Sequence, residues 1–164
     1  LGRERPDDFQ YGDRNITVKF VEKFAKQMEK TTRDRLRKTI REGIEEGLSN
    51  REIAAQIDRD EYLPFSESRA RLIAQTETTS AINRATNDAY NKIEKEEGIQ
   101  ILKQWISSND DRVRPEHQRL DGQTVAANEE FKVGKYSGAA PSSFGEPEMD
   151  INCRCTIAPI VIDD

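Results

Sequence analysis

Histidine occurs once in this 164-residue chain, tryptophan once and cysteine twice. The two cysteines, Cys153 and Cys155, are separated by one residue. That rules out a disulfide framework, and a bridge across so short a span would be strained, so a reducing compartment is expected. No apolar run approaches the ~20 residues that cross a bilayer, so no membrane partner is expected. Leu1 to Pro6 lack the apolar stretch of a signal peptide. The chain starts at Leu1 rather than Met and is read as a piece of a longer protein. Basic residues are not in excess: net charge is -5, which excludes non-specific nucleic-acid binding by the whole surface. Hydrophobic residues are only 34% against 35% charged, a thin apolar supply that calls for helices with wide solvated faces.

What is there falls into two halves. Residues 1–14 are polar, with Pro6 and Gly12, and read as a linker or disordered end. Asn15 can cap a long helix in which Phe20, Val21, Phe24, Ala25, Met28, Leu36, Ile40, Ile44 and Leu48 recur at steps of three and four. Gly43 and Gly47 weaken it, so it bends or ends near Gly47. Ser49 and Glu52 have capping-box spacing, and Ile53 and Ile57 share a face of the helix that follows. Pro64 stops that stretch. Ser66 can cap a third helix from about Glu67 to Glu97, closed by Gly98, with Ala70, Ile73, Ala74, Ala81, Ala85, Ala89 and Ile93 on or near one stripe.

Beyond Gly98 the period changes to two. Ile99, Ile101, Lys103 and Trp105 alternate with Gln100, Leu102, Gln104 and Ile106 as a strand with two partly buried faces. Asn109-Asp110-Asp111 and Asp121-Gly122 are turns, Pro115 opens a short helix, Thr124-Val125 is a strand candidate and Phe131 a core anchor. Residues 134–150 read as a long irregular loop. Thr156 to Ile162 is β-like, and Pro159 makes it an edge or bulged strand. The fold class is α+β: long N-terminal helices, an all-α part, followed by a small β-rich C-terminal module with irregular loops.

The chemistry-bearing residues concentrate between Trp105 and Gly122 and in Asn152-Cys153-Arg154-Cys155. His117, Cys153 and Cys155 are the stock of zinc-type ligands, one short of a closed tetrahedral site unless Asp110, Asp121 or solvent joins them. Arg112, Arg114 and Arg154 would bring positive charge near such an ion, which disfavours it. The expectation is therefore a metal-free, cofactor-free cluster, with His117 on a backbone carbonyl and the cysteines packed as small apolar groups. The arginines suit turn carbonyls and nearby Asp side chains, tying the two loops together. Asp110 and Asp121 are expected to accept backbone N–H groups in their turns, and Trp105 to sit in the core. No local spacing supports a catalytic Cys–His pair, so no catalytic residue is assigned and a non-enzymatic role is expected. The alternative is a metal-dependent hydrolase or toxin-like enzyme using His117 with Cys153 and Cys155. Arg71 and Glu77 lie on different faces of the third helix, and one of them is expected to bond the β-rich module. Arg33, Arg35, Arg37 and Lys38 form a basic strip that reads first as a solvated face and second as a contact for DNA or an acidic partner.

Ala70-Arg71-Leu72-Ile73-Ala74-Gln75-Thr76-Glu77-Thr78, with Ala81, Asn83, Ala85, Gly98-Ile99, Trp105, Asp110-Asp111-Arg112-Val113-Arg114, His117, Leu120-Asp121-Gly122, Phe131, Pro147 and Ile151-Asn152-Cys153-Arg154-Cys155, form an ordered set. Together these resemble the phage Mu protein F-like head-morphogenesis family over roughly residues 50 to 160. Gln75 stands where that family often has Arg, and Ala140 to Gly145 replace a Pro-Gly-Asp-like loop. The resemblance implies a minor capsid protein of a tailed bacteriophage or prophage, associated with the portal vertex, supporting head assembly or genome delivery. Its implied partners are the portal protein and other capsid proteins, with phage DNA as a further contact. It implies location in the virion, in the capsid interior or at the portal vertex, and in host cytoplasm during assembly. On this reading residues 15–65 are a helical extension contacting portal or assembly partners, and 66–164 the family domain.

Overall fold

Leu36 and Ile40, one helical turn apart, are buried on the inner face of α1 (Lys30–Glu45). They belong to a computed structural model that describes residues 30–63 and 65–162. The linker assigned to 1–14, the cap at Asn15, the stripe from Phe20 to Met28 and the stop at Pro64 lie outside the described residues. Helix α1 ends where the sequence weakens it: Gly47 takes φ +71° and Leu48 N–H donates to the Gly43 carbonyl at 2.9 Å. Gly43 does more than weaken the helix. A Cβ there would lie 2.6 Å from Ile53 Cγ1, so the glycine is what lets α1 press against α2 (Asn50–Arg59).

The capping box at the start of α2 is complete. Ser49 N–H donates to Glu52 Oε2 at 2.8 Å, and Glu52 N–H donates to Ser49 Oγ at 3.3 Å. Ile53, Ala54 and Ile57 point inward. With Leu36, Ile40, Leu63, Phe65, Ala70 and Ala74 they form a first core, closed by the opening turns of α3 (Glu67–Glu97). Ser66 stands at the N-cap of α3, yet its hydroxyl meets Ser68 Oγ rather than a backbone N–H. Gly98 ends the helix at φ +69°, its N–H on the Glu94 carbonyl.

The small-residue stripe divides on α3. Ala70 and Ala74 are buried, whereas Ala81, Ala85, Ala89 and Ile93 face solvent, together with Ile82. In this second half the inward face carries Thr78 and Asn83 instead. For Asn83 the reason is the surface beneath it: the following module presents main-chain carbonyls to the helix, and the Asn83 side chain donates to that of Cys155.

That module is built on β1 (Gln100–Ile106), flanked antiparallel by β2 (Thr124–Ala126) and β5 (Thr156–Ile162) in the order β2-β1-β5. Ile101, Lys103 and Trp105 share the buried face of β1. Among the described residues β5 and β2 are the two edge strands of this sheet, and on β5 Pro159 stands opposite Lys103 and Ile157 opposite Trp105. Between β2 and β5 the chain makes a hairpin, β3 (Phe131–Val133) with β4 (Tyr136–Gly138). A short helix, α4 (Pro115–Leu120), precedes β2, and another, α5 (Pro147–Asp150), precedes β5. Residues 134–150 are therefore not one irregular loop. Gly138 lets the hairpin fold under Phe144, whose ring would lie 2.8 Å from a Cβ at that position. The second core, around Trp105, Leu120, Phe131, Met149, Cys153 and Ile157, is separate from the first.

Candidate functional site

Pro115 at the first turn of α4 sets the backbone so that His117 and Leu120 face the module core. Trp105 comes from β1 and is fully buried; its ring meets His117, Phe131 and Phe144 edge-on, at centroid distances of 5.5, 5.3 and 5.9 Å. The Asn152–Cys155 turn closes over this floor just before β5. Asn152 itself takes φ +55°, which reverses the chain so that both cysteine side chains enter the core.

His117 Nδ1 then lies 3.4 Å from Cys155 Sγ and 3.7 Å from Cys153 Sγ. Nδ1 and the two sulfurs all lie within 4.8 Å of one another. His117 therefore does not rest on a backbone carbonyl, contrary to the expectation from sequence. Its Nε2 is buried and has no hydrogen-bond partner among the described residues. Both thiols are free and buried. The sulfurs interact strongly: the hydrogen bond from Cys155 and the neighbouring His117 hold Cys153 well below the ordinary thiol range. The same hydrogen bond, with burial, pushes Cys155 up.

Around this centre the arginines are already engaged. Arg154 grips Asp110 with both guanidinium nitrogens, Nη2 at 2.7 Å from Oδ1, and holds that carboxyl far below the usual range. Asp110 also accepts the Arg112 N–H at 3.0 Å, while the Arg112 side chain points outward. Arg114 donates to the Ile151 and Met149 carbonyls, pinning the segment that leads into Cys153. Asp121 accepts the Ser107 N–H at 2.6 Å, and Gly122, at φ +78°, donates to the Trp105 carbonyl at 2.9 Å. The two loops are thus tied by Arg154–Asp110, by Arg114 and by the His–Cys contacts.

Four α3 residues outside the expected set hold the module to the helix. Gln75 donates to the Cys153 carbonyl at 3.2 Å, Asn83 to the Cys155 carbonyl at 3.0 Å and Ser80 to the Ser142 carbonyl at 3.0 Å. Thr76 Oγ1 accepts the Asn152 N–H at 2.9 Å. Gln75, the position that departs from the resembled pattern, also accepts from Asn50 of α2 at 3.0 Å. By contrast Arg71 pairs with Glu67 at the surface and Glu77 is exposed, so neither bonds the module. Lys103 is a further unexpected member. It is fully buried, donating to Asn87 Oδ1 at 2.6 Å and the Ala127 carbonyl at 2.8 Å, and burial pulls its pKa down. In the basic strip, Arg35 is spent on Asp60 and on the Tyr62 ring, 4.4 Å from its centroid. Arg37 and Lys38 stay exposed beside Asp34 and Glu42, and Arg33 is exposed too.

The order of these loops along the chain, and their meeting on one helix, suit a single family pattern, and the model for phage Mu protein F-like proteins matches residues 21–158. The chain belongs to the phage Mu F-like family. The match begins well before residue 50 and takes in the helices of the first core. This Mu F-like chain is similar to a minor head protein of Bacillus phage SPP1, 28% identical over 60% of the chain and 32% of that relative. It is also similar to an NAD(+)–arginine ADP-ribosyltransferase of Enterococcus faecalis, 36% identical over 69% of the chain and 23% of the relative. An uncharacterized protein of Haemophilus influenzae is 32% identical over 68% of the chain and 21% of the relative. The chain therefore spans a third or less of each of these proteins. No solved structure matches it.

Two surface clefts are lined by residues other than those of the His–Cys centre. One is lined by Gln123, Val125, Glu129, Glu130 and Lys132, another by Arg35, Gln56, Arg59, Asp60 and Glu61. His117 is only 2% exposed. Arg114 supplies the most direct test of how the loops are held. Replacing it by methionine strips two main-chain carbonyls of a charged donor and should cost about 1.5–3 kcal/mol in urea unfolding. Lysine should not rescue it, since a single ammonium lacks the fork that reaches both oxygens. A loss below ~0.5 kcal/mol, within the range of an ordinary surface change, would refute this.

Proposed function

We propose that this chain is the family domain of a minor capsid protein of a tailed phage or prophage, and that it acts by docking rather than by catalysis. The similarity to the SPP1 minor head protein carries the reading. Two surface features support it. The exposed side of α3 presents Ile82, Ala85, Ala89 and Ile93 along one stripe, more apolar surface than a helix with no partner needs. The exposed Arg33, Arg37 and Lys38 of α1 offer a second, basic contact for DNA or an acidic partner, beside the Arg35 that is committed to Asp60. The partners we propose are the portal protein and other capsid proteins, with phage DNA at the basic strip, and the place is the portal vertex or capsid interior. No helix among the described residues is long and apolar enough to cross a membrane.

The name of the ADP-ribosyltransferase relative raises a different class of function, an enzyme, for which His117 and the cysteines would be this chain's candidates. Such a site needs an open cleft with the reacting groups at its mouth. Burial of His117, Cys153 and Cys155 in this chain counts against it. In that relative, the matching segment is under a quarter of the protein.

The test is incorporation into heads. The Ile82→Glu, Ile93→Glu double variant of the complete protein, made in a producing host, should be present in purified heads at a tenth of the wild-type level or less. Circular dichroism of the purified variant should match the wild type, because neither side chain is in a core. Wild-type levels in heads would remove the docking proposal for α3. Arg37→Glu with Lys38→Glu tests the basic strip in the same assay.

A further inference from the structure

Nearby positive charge is what disfavours a metal at His117, Cys153 and Cys155 when only the sequence is considered. In the folded chain that charge is already spent. Arg154 is neutralised by Asp110, Arg114 is turned onto the carbonyls of Met149 and Ile151, and the exposed Arg112 side chain lies 3.6 Å from Asp110. What remains at the centre is two sulfurs and one imidazole nitrogen, aimed at each other inside a wall of Trp105, Leu120, Phe131 and Met149.

We propose that His117 Nδ1, Cys153 Sγ and Cys155 Sγ bind a zinc ion that fastens the two loops of the module. Three observations support this, none of them drawn from the family. The first is distance. Zinc–sulfur bonds of about 2.3 Å and zinc–nitrogen bonds of about 2.0–2.1 Å at a tetrahedral angle place sulfur and nitrogen roughly 3.6 Å apart. The two sulfur–nitrogen separations, 3.4 and 3.7 Å, bracket that value, and all three ligand atoms lie within 4.8 Å of one another, so the sulfurs draw together by up to about an ångström when the ion binds. The second is the lack of any competing use for the imidazole. Nδ1 faces only the two sulfurs, so zinc there would displace no hydrogen bond to a carbonyl or carboxylate. The third is charge balance. Two thiolates match a divalent cation, so the loaded apolar pocket carries no net charge. The chain supplies three ligands, and a solvent-derived oxygen would be the fourth of a tetrahedral set. Softness selects the metal: thiolate and imidazole favour zinc over magnesium or calcium.

The role is structural. The ion joins α4 to the turn before β5 and so adds a third tie to Arg154–Asp110 and Arg114. Zinc content measured on protein purified without chelator should be on the order of one ion per chain. Cobalt(II) added to chelator-stripped wild-type protein should give a thiolate-to-metal charge-transfer band in the near ultraviolet and intense visible bands of tetrahedral cobalt. Both signals should vanish in Cys153→Ser, Cys155→Ser, and the visible bands should shift in His117→Gln. Two outcomes overturn the proposal: zinc far below one per chain with no cobalt–thiolate band in the wild-type protein, or zinc retained undiminished by the double-cysteine variant. The cobalt experiment uses the unaltered chain, so it decides the matter even if a variant fails to fold. Neither measurement involves heads, so failure here and failure of the docking reading are distinguishable.

Discussion

Trp105→Ala is expected to unfold the β-module while leaving the three-helix core standing. Trp105 is fully buried and is the residue on which His117, Phe131 and Phe144 converge. Deleting an indole from such a place costs about 3–5 kcal/mol, from lost transfer energy and from the cavity that cannot collapse. A small module holds only ~5–15 kcal/mol in total. Little of the gap can be refilled, because the surrounding rings are themselves fixed by edge-on contacts. Amide exchange followed by mass spectrometry reads the result: protection should fall across β1, α4 and β5 and persist over residues 36–63. A module that keeps its protection, or a loss spread evenly over the whole chain, would contradict the expectation.

The reciprocal experiment is Ile53→Ala. Ile53 is fully buried between α1 and α3, and its side chain is what the missing Cβ of Gly43 makes room for. Truncation should cost about 2–5 kcal/mol and release α1 from α2. The β-module has its own core and should keep its tertiary signature, read as the fluorescence of Trp105. The helix that both cores share, α3, should lose protection only in its first turns, around Ala70 and Ala74. If Trp105 emission shifts to that of a solvated indole in step with loss of α1, the two cores form one cooperative unit and the expectation fails.

How much of this is legible in the sequence depends on what kind of signal each element carries. The bounds of α3, the capping box at Ser49 and the ending at Gly47 are local chemistry, written in residues that sit next to one another. The meeting of the Asp110–Asp121 segment with Asn152–Cys155 is also readable, because special residues crowd both stretches. The face of α3 that receives the module is not. Gln75, Thr79, Asn83 and Asn87 recur every fourth residue, but in a chain that is 35% charged such a row looks like a solvated face. The alanines beside it look like the packing stripe, and beyond Ala74 they are the exposed side. Only the tertiary partner, a surface of main-chain polar groups, decides which row turns inward. Gly43 hides its use for the same reason: its cost to the helix is local, while its benefit is the approach of Ile53 from another helix.

Lys103 shows the limit most plainly. Alternation with Ile101 and Trp105 places it on the buried face, but nothing nearby announces that Asn87 and the Ala127 carbonyl receive its ammonium. The signal that could have found it is the charged residue itself, since a lysine between two core positions needs acceptors waiting for it.

Opposite Lys103 on the edge strand β5 stands Pro159. A residue without an N–H cannot offer a donor to a neighbouring chain, and the strand on which it sits cannot serve as a regular template for another. The apolar side chains of Ile160, Val161 and Ile162 are exposed on that strand. Without the proline, this rim would be a more regular edge for pairing with another strand. With it, the outer edge of β5 lacks one donor and is a poorer template for a further strand.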